Sequence, residues 1–503
     1  MRRLLLLLLL VALAAAPAAR AAHDPSTPIR HFVFLMQENH SFDNYFGAYP
    51  GADGRPAGVC MPNDLRNPTR GCTRPEPLGN KAVLDLGHSI TTFRDQFRGG
   101  RMDGFVDAYT RTGLSGAKPL GYYTDADIPY YYNIADSYVL FDRFFSSAGA
   151  GSVWNHMFWV TGSPGNPEAD GIPPHGFGDV PTIFDRLEAA GITWKFYVQN
   201  YDPTNTYRNP ASGDRASQSV WVPLLAYDRY LDDPKLFSHI VDMSQYFDDA
   251  QKGNLPSVAF IAPAGSSEHP PGRIQAGQTF IRTIIAELMR SPEWTSSAFM
   301  WSYDDWGGWY DHVKPPQVDR FGYGFRVPAL LVSPYARKGF VDHTTLDYTS
   351  ALRFIEDNWG LEPLADRDRK ASSIAGAFDF SQPARAPILL DLERSPTPLP
   401  KVRTSVIYPA YGAALLLPLL IYQYSKSGDG YRVFAAFLAS CTALMLLSWA
   451  GWLDPRLALR GPPLIGIPVK NYITQAQEFV LCAFGFAVVA FIAWTKGRRL
   501  VAV

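Results

Sequence analysis

Four cysteines in 503 residues are too few to staple a chain of this size. None forms a Cys-x-x-Cys pair or joins a histidine at zinc-finger spacing, which excludes a structural zinc finger. Charge of one sign is also missing. With 46 Lys+Arg against 47 Asp+Glu the formal net charge is −1, which argues against a nucleic-acid partner and against an acidic tail. Charged residues make up 18% of the chain, below the roughly 25% of an ordinary globular protein. There is no internal repeat, P-loop, GxSxG elbow, HExxH or dinucleotide GxGxxG, so the chemistries tied to those motifs have no foothold. What is plentiful is apolar and aromatic: 47% hydrophobic and 14% aromatic, enough for a large core. Forty-one glycines and 41 prolines require many loops.

The apolar residues are unevenly spread. Residues 1–22 combine Arg2 and Arg3, the run Leu4–Leu13 and the small-x-small sequence Ala19-Arg20-Ala21. This is the pattern of a cleaved secretory signal, too short to span a bilayer comfortably. From residue 401 the composition turns apolar again. The stretches 406–424, 433–453 and 479–495 predict about three transmembrane helices, with Tyr408, Tyr422, Tyr424, Trp449, Trp452 and Trp494 near their ends as an aromatic belt requires. The expected organisation is a signal peptide at 1–22, a catalytic domain at 23–400 exported to the periplasmic or extracellular side, and a membrane domain at 401–503. An exported domain permits a disulfide between Cys60 and Cys72.

Between these ends the pattern is α/β. His31–Met36, Thr193–Val198, Ser257–Ile261, Ala298–Tyr303 and Val327–Val332 are nearly continuous apolar runs, as in strands buried on both faces of a mostly parallel sheet. Helical stripes at Gly277–Arg290 and Leu346–Trp359 lie between or after them, the latter stopped by Gly360. Ligands bind beyond the C-terminal ends of such strands. Three of these ends are polar: Gln37-Glu38-Asn39, Ser266-Ser267-Glu268-His269-Pro270 and Asp304-Asp305.

Glu38, Asn39, Asp304 and Asp305 offer hard oxygen ligands suited to Mg, Ca, Mn or an oxygen-liking Fe. Two adjacent carboxylates repel unless a cation or proton separates them. For a nucleophile the segment Phe144–Gly162 offers Ser152, after a small-residue turn and at the start of a helical stretch. Free N–H groups there would stabilise an oxyanion, although a serine at that place serves equally as a helix cap. Asn155 shares its face. His88, His269 and His312 are possible proton donors or phosphoryl ligands.

These residues carry a resemblance. Gln37-Glu38-Asn39-His40-Ser41-Phe42-Asp43-Asn44-Tyr45-Phe46-Gly47 resembles the ENxSFDxYFG signature of the phosphoesterase family of non-specific phospholipases C and respiratory-burst-inhibiting acid phosphatases. The likeness continues through His88-Ser89, Met102-Asp103-Gly104-Phe105, Ser152-Val153-Trp154-Asn155, Glu268-His269-Pro270, Asp304-Asp305 with Gly307-Gly308, and Tyr310-Asp311-His312-Val313. It implies an alkaline-phosphatase-like fold with helices on both faces of the sheet. It also implies a divalent metal held by Glu38, Asn39, Ser152, Asp304 and Asp305, with Ser152 as nucleophile. His88, Asn155 and His269 would surround the phosphoryl group, with His269 or His88 as general acid. Where the lipase branch reads DEHGG, this chain reads Asp304-Asp305-Trp306-Gly307-Gly308, nearer the phosphatase branch, whereas Met102–Phe105 is typical of the lipases. The expected substrate is a phosphate ester or phospholipid. A headgroup transferase using the same site, or a non-catalytic anion-binding membrane protein, are the alternatives.

Overall fold

The computed structural model describes residues 24–79, 83–111, 118–212 and 217–394. All fall in the first of the two units into which the chain divides, residues 1–398. The signal peptide, the three spans and the membrane domain expected from sequence lie outside the described residues. Among the described residues no helix is long and apolar enough to cross a membrane.

Eight strands form the central sheet: β1 (His31–Gln37), β2 (Val139–Phe141), β3 (Trp194–Val198), β4 (Ile240–Asp242), β5 (Val258–Ala262), β6 (Ser297–Tyr303), β7 (Ala329–Val332) and β8 (Phe340–Asp342). Their order is β8-β2-β7-β6-β1-β5-β3-β4. Every pairing is parallel except the two that β7 makes, with β6 and β2. The five apolar runs became β1, β3, β5, β6 and β7, with ends shifted by one or two residues. The three-residue strands β2, β4 and β8 were not expected, because so short a run has no periodicity to read.

Side chains alternate across the sheet, and the two faces take different helices. Phe34, Phe196 and Phe260 meet Trp159 of α3 (Ser152–Thr161). Phe260 also meets Phe184 of α4 (Ile183–Ala190), and Phe32 meets Phe354 of α7 (Tyr348–Trp359). On the other face Trp301 packs on Tyr131 of α2 (Pro129–Ser137), and Tyr197 on Tyr246 of α5 (Ser244–Lys252). Tyr246 in turn donates to the Ile284 carbonyl of α6 (Ile274–Arg290). Both faces of β1 and β6 are therefore dry, which explains their unbroken apolar sequence. As expected, Gly360 ends α7 in the left-handed conformation. The helix α1 (Phe42–Phe46) follows β1 directly, capped by Ser41. Cys60 and Cys72 are joined, with their Cα atoms 5.3 Å apart.

Candidate active site

Gln37 and Tyr303 are register partners at the ends of β1 and β6. The residues that follow them, Glu38-Asn39 and Asp304-Asp305, are thereby delivered side by side beyond the sheet. The Asp304 amide donates to the Gln37 carbonyl at 2.9 Å, the Asn39 amide to Asp304 Oδ1 at 2.9 Å, and Asn39 Nδ2 to Asp305 Oδ1 at 2.8 Å. Asn39 is in the left-handed region at φ 63°. Gly307 crosses it so closely that a Cβ would lie 2.2 Å from the Asn39 carbonyl oxygen, at φ +60°. Only glycine fits there. The third strand end closes on the same edge. Glu38 N donates to the Ser267 carbonyl at 2.9 Å, and the Gln37 amide nitrogen reaches the Ser266 and Ser267 carbonyls at 3.1 Å.

Four of the five expected ligand residues are buried, and each of the four keeps an oxygen with no hydrogen-bond partner: Glu38 Oε2, Asn39 Oδ1, Asp304 Oδ2 and Asp305 Oδ2. Buried oxygens are rarely left so, and four in one cluster fit a hard cation. Burial and the neighbouring Asp304 push Glu38 well up, and they do the same to Asp305. Asp304 itself is held below its ordinary value despite burial, by His156, by the nearby Ser152 hydroxyl and by His88. Three carboxyls competing for so little positive charge have the electrostatics of a cation site.

Ser152 is the first residue of α3, and Gly151 before it, not Ser152, is the cap. Asp170 takes two of the amides at this turn. Asp170 Oδ2 accepts from Gly151 N at 2.7 Å, and Asp170 Oδ1 from Trp154 N at 2.9 Å. Asn155 is also committed elsewhere. Its Oδ1 accepts from Ala148 N at 3.0 Å, and its Nδ2 donates to the carbonyls of Ala150 at 3.0 Å and Gly151 at 3.1 Å. It pins the small-residue turn that presents Ser152.

His156, one helical turn beyond Ser152, was not singled out from sequence. It is buried, with Nε2 2.9 Å from Glu38 Oε1 and 3.9 Å from Asp304 Oδ2. Glu38, His156 and Asp304 each place a ligand atom within 4.8 Å of the others. Burial lowers the imidazole to about 4, so it is neutral and competent as a ligand or as a donor to Glu38.

His88 and His269 meet at 5.7 Å between ring centres. Burial would depress His88, but Asp305, Asp85 and Asp304 outweigh it and push it up to about 10; Asp85 Oδ1 is 3.5 Å from its Nδ1. A bound cation would shrink this lift by neutralising the same carboxylates. His269 Nδ1 is 2.8 Å from the Pro270 carbonyl oxygen. A carbonyl only accepts, so Nδ1 carries a proton and Nε2 is the nitrogen left for chemistry. Glu268, at φ 68°, turns inward and accepts from the hydroxyls of Tyr45 and Tyr131 at 2.5 Å and of Tyr303 at 2.8 Å. His312 is not at this centre. Its Nδ1 is 2.7 Å from Asp43 Oδ2. Asp43, Asp311 and His312 form a second ligand-like group, but buried Arg326 already supplies the cation there, 3.0 Å from Asp43 Oδ1 and 2.9 Å from Asp311 Oδ1.

Among solved structures, a protein of the alkaline phosphatase superfamily from Vibrio parahaemolyticus is similar at 12% identity and TM-score 0.35, over 70% of this chain and 73% of that one. Phospholipase C A of Mycobacterium tuberculosis is 28% identical over 445 residues, 75% of this chain and 83% of that protein. The non-hemolytic phospholipase C of Burkholderia pseudomallei is 28% identical over 428 residues, 71% and 59% of the two chains. Non-specific phospholipase C6 of Arabidopsis thaliana is 29% identical over 372 residues, 64% and 65%. The Phosphoesterase family model matches residues 29–362, a span that opens two residues before β1, takes in every strand and site residue described above, and ends just past α7. The chain belongs to the Phosphoesterase family.

Proposed function

We propose that the chain is a divalent-metal-dependent phosphoester hydrolase, exported and tethered to the membrane by its C-terminal segment, with Ser152 as nucleophile. The observation that carries this is the set of four buried, donorless oxygens on Glu38, Asn39, Asp304 and Asp305 beside the Ser152 hydroxyl. These residues, with Ser152 and His156 adjoining, would hold the cation. Bound there, it would supply positive charge to the phosphoryl oxygens and favour the deprotonated form of a neighbouring hydroxyl.

The chain's own groups account for the rest. Ser152 Oγ, its proton released to solvent, attacks phosphorus as the bond to the leaving oxygen breaks, and His269, entering as the imidazolium, delivers from Nε2 the proton that oxygen needs. Water then releases the group from Ser152, with the same nitrogen taking the proton back. His88 binds the phosphoryl oxygens. Asp170 and Asn155 fix the turn and helix start that aim Ser152. The metal's identity stays open among Mg, Ca, Mn and Fe, all of which accept oxygen donors. The curated relatives are phospholipases C, which favours a phospholipid substrate, and the apolar stretches of residues 401–503 would keep the domain near lipid. The Cys60–Cys72 disulfide agrees with an exported compartment.

The deciding experiment is product analysis on the purified full chain with choline and ethanolamine phospholipids and with p-nitrophenyl phosphate. Diacylglycerol with a phosphorylated headgroup marks a phospholipase C, and inorganic phosphate a phosphatase. Headgroup appearing on an added alcohol marks a transferase. No turnover of any of them, with metal bound, overturns the proposal.

A further inference from the structure

Glu268 has no part in the steps above, yet it is 2% exposed and adjoins the histidine that moves the proton. At φ 68° it holds a backbone conformation that a side chain disfavours, and that persists only where the surroundings fix it. Three tyrosine hydroxyls from three elements do so. Tyr45 of α1 donates to Oε2 at 2.5 Å, Tyr131 of α2 to Oε1 at 2.5 Å, and Tyr303 at the end of β6 to Oε2 at 2.8 Å. On α6, Gly277 makes room for the carboxylate, since a Cβ there would lie 1.9 Å from Glu268 Oε1. The pocket is shaped around an acid. Two carboxylate oxygens accept all three hydroxyls, whereas an amide would turn an N–H toward one of them.

The bonds of His269 itself do not set its place. Its amide lies 3.4 Å from Ser267 Oγ, its carbonyl accepts from Gly272 N at 2.6 Å, and its ring is bonded to the Pro270 carbonyl. All of these travel with the segment. Among the described residues, the hydrogen bonds that tie 268–272 to the chain beyond Ser267 run through Glu268. They are the three hydroxyls on its carboxylate and His40 Nε2, 3.3 Å from its carbonyl oxygen. Tyr303 immediately precedes Asp304, and Tyr45 belongs to the helix that follows Asn39. We propose that Glu268 is a positioning residue, whose carboxylate sets the distance between the metal-site strand ends and His269 so that Nε2 meets the leaving oxygen. The inference rests on the phosphoester reading above, in which His269 supplies the proton, and adds what aims it. Without the carboxylate, residue 268 relaxes toward negative φ and His269 swings with it. The bonds among Gln37, Asn39, Asp304 and Asp305 do not pass through Glu268, so the metal site stays.

The test uses the metal-loaded full chain and two esters that differ only in the leaving group. They are p-nitrophenyl and phenyl phosphate for a phosphatase, or p-nitrophenyl and phenyl phosphorylcholine for a phospholipase C. p-Nitrophenolate is a weak enough base to leave without a proton, whereas phenolate gains far more from one. The ratio of the two kcat/KM values therefore reads proton delivery. A group that acts through His269 changes that ratio, and one that merely supports the fold or the metal lowers both values together. Glu268→Ala is expected to lower kcat/KM for the phenyl ester by about tenfold or more and for the p-nitrophenyl ester by less than about threefold, with bound metal unchanged. Glu268→Gln should recover part of the loss. Glu268→Ala/His269→Ala should be no worse than His269→Ala, because the two act as one unit. Tyr131→Phe should show the same selectivity in smaller measure, and it decides if Glu268→Ala does not fold. Equal losses on both esters, or no loss on the phenyl ester, overturn the inference. Selective loss in His269→Ala without it in the Glu268 and Tyr131 variants keeps the proposed acid and removes its anchor. Equal losses in His269→Ala remove that acid from the proposed function, and the inference with it.

Discussion

Glu38, Asn39, Asp304 and Asp305 could be found from sequence because each sits immediately after an apolar run long enough to be recognised as a strand. Strand direction then put them on one edge. Ser152 was legible for a related reason, a serine after Gly-Ala-Gly at the start of a helical stretch. His156 was hidden in the apolar sequence VWNHMFWV, where a histidine reads as core. Its spacing of four from Ser152, one helical turn, was the signal available. Asp170 left no signal at all, since a cap supplied from another loop has no fixed offset. Asn155 was placed correctly on the helix, but its bonding to the turn depends on how residues 148–151 fold back. If Ser152 is the nucleophile, Ser152→Ala should lower turnover by about a thousandfold or more at an unchanged thermal midpoint. Folded variant within about tenfold of wild type would end that assignment. The four donorless oxygens make a second expectation. A cation at a hundred times its dissociation constant stabilises the native state by about 2.7 kcal/mol if it binds only that state. Chelation should therefore lower the wild-type midpoint and leave that of Asp304→Asn/Asp305→Asn unmoved. Equal midpoints before and after complete metal removal from the wild type would show that no cation is held there.

The helix Ser152–Thr161 begins under a carboxylate from outside it, and its Trp154 indole donates to the Asn166 and Ala169 carbonyls at 2.8 and 2.9 Å. Segment 166–170 and the helix start thus hold each other. Asp170→Ala removes two charge-assisted bonds at a helix N-terminus and should cost about 1–2 kcal/mol, with kcat reduced more than KM is raised, because the group aims Ser152 without touching substrate. Asp170→Asn, which can still accept, should recover part of both. Full activity in Asp170→Ala would mean that Ser152 is placed by something else. A second helix start gives a pH signature. At Ile183–Ala190, Asp185 accepts from Thr182 N at 2.7 Å and Arg229 Nη2 at 2.6 Å. Burial opposes its charge, but Arg229 and Thr182 hold the carboxyl below its ordinary value. A depressed carboxyl contributes stability that is fully present above its unfolded pKa of about 3.9 and is lost as pH falls through the folded one. Wild type should exceed Asp185→Asn by about 1–2 kcal/mol at neutral pH, and the gap should close as pH falls through the lowered folded-state value. A gap of constant size would contradict the pairing. Elements with a stripe or an unbroken apolar run could be read directly. Those of three residues, such as Val139–Phe141 and Phe340–Asp342, exist only because neighbouring strands are there to pair with them.

Over the whole molecule, the mostly parallel sheet and the family followed from the order of elements and motifs, because alternation of strand and helix limits the connections a chain can make. The reversal of Ala329–Val332 did not, since an apolar run carries no direction. The organisation outside the described residues is a matter for a topology experiment. With a signal peptide and three spans, a reporter fused after Val503 should be cytoplasmic, and one inserted near Lys401 exported. An exported reporter at Val503 would mean that one apolar stretch does not cross. The two acid clusters next to the sheet differ in one respect with its own consequence. The cluster at Asp43, Asp311 and His312 contains its countercharge as a covalent part of the chain, in Arg326, whereas the cluster at Glu38, Asp304 and Asp305 would take one from solution. Metal removal should therefore not melt the edge of the sheet as a unit. Amide hydrogen exchange after chelation should quicken at residues 38–39 and 304–307 and stay slow at 42–46 and 311–313, dividing one edge of the sheet into a part that breathes with the ion and a part that does not.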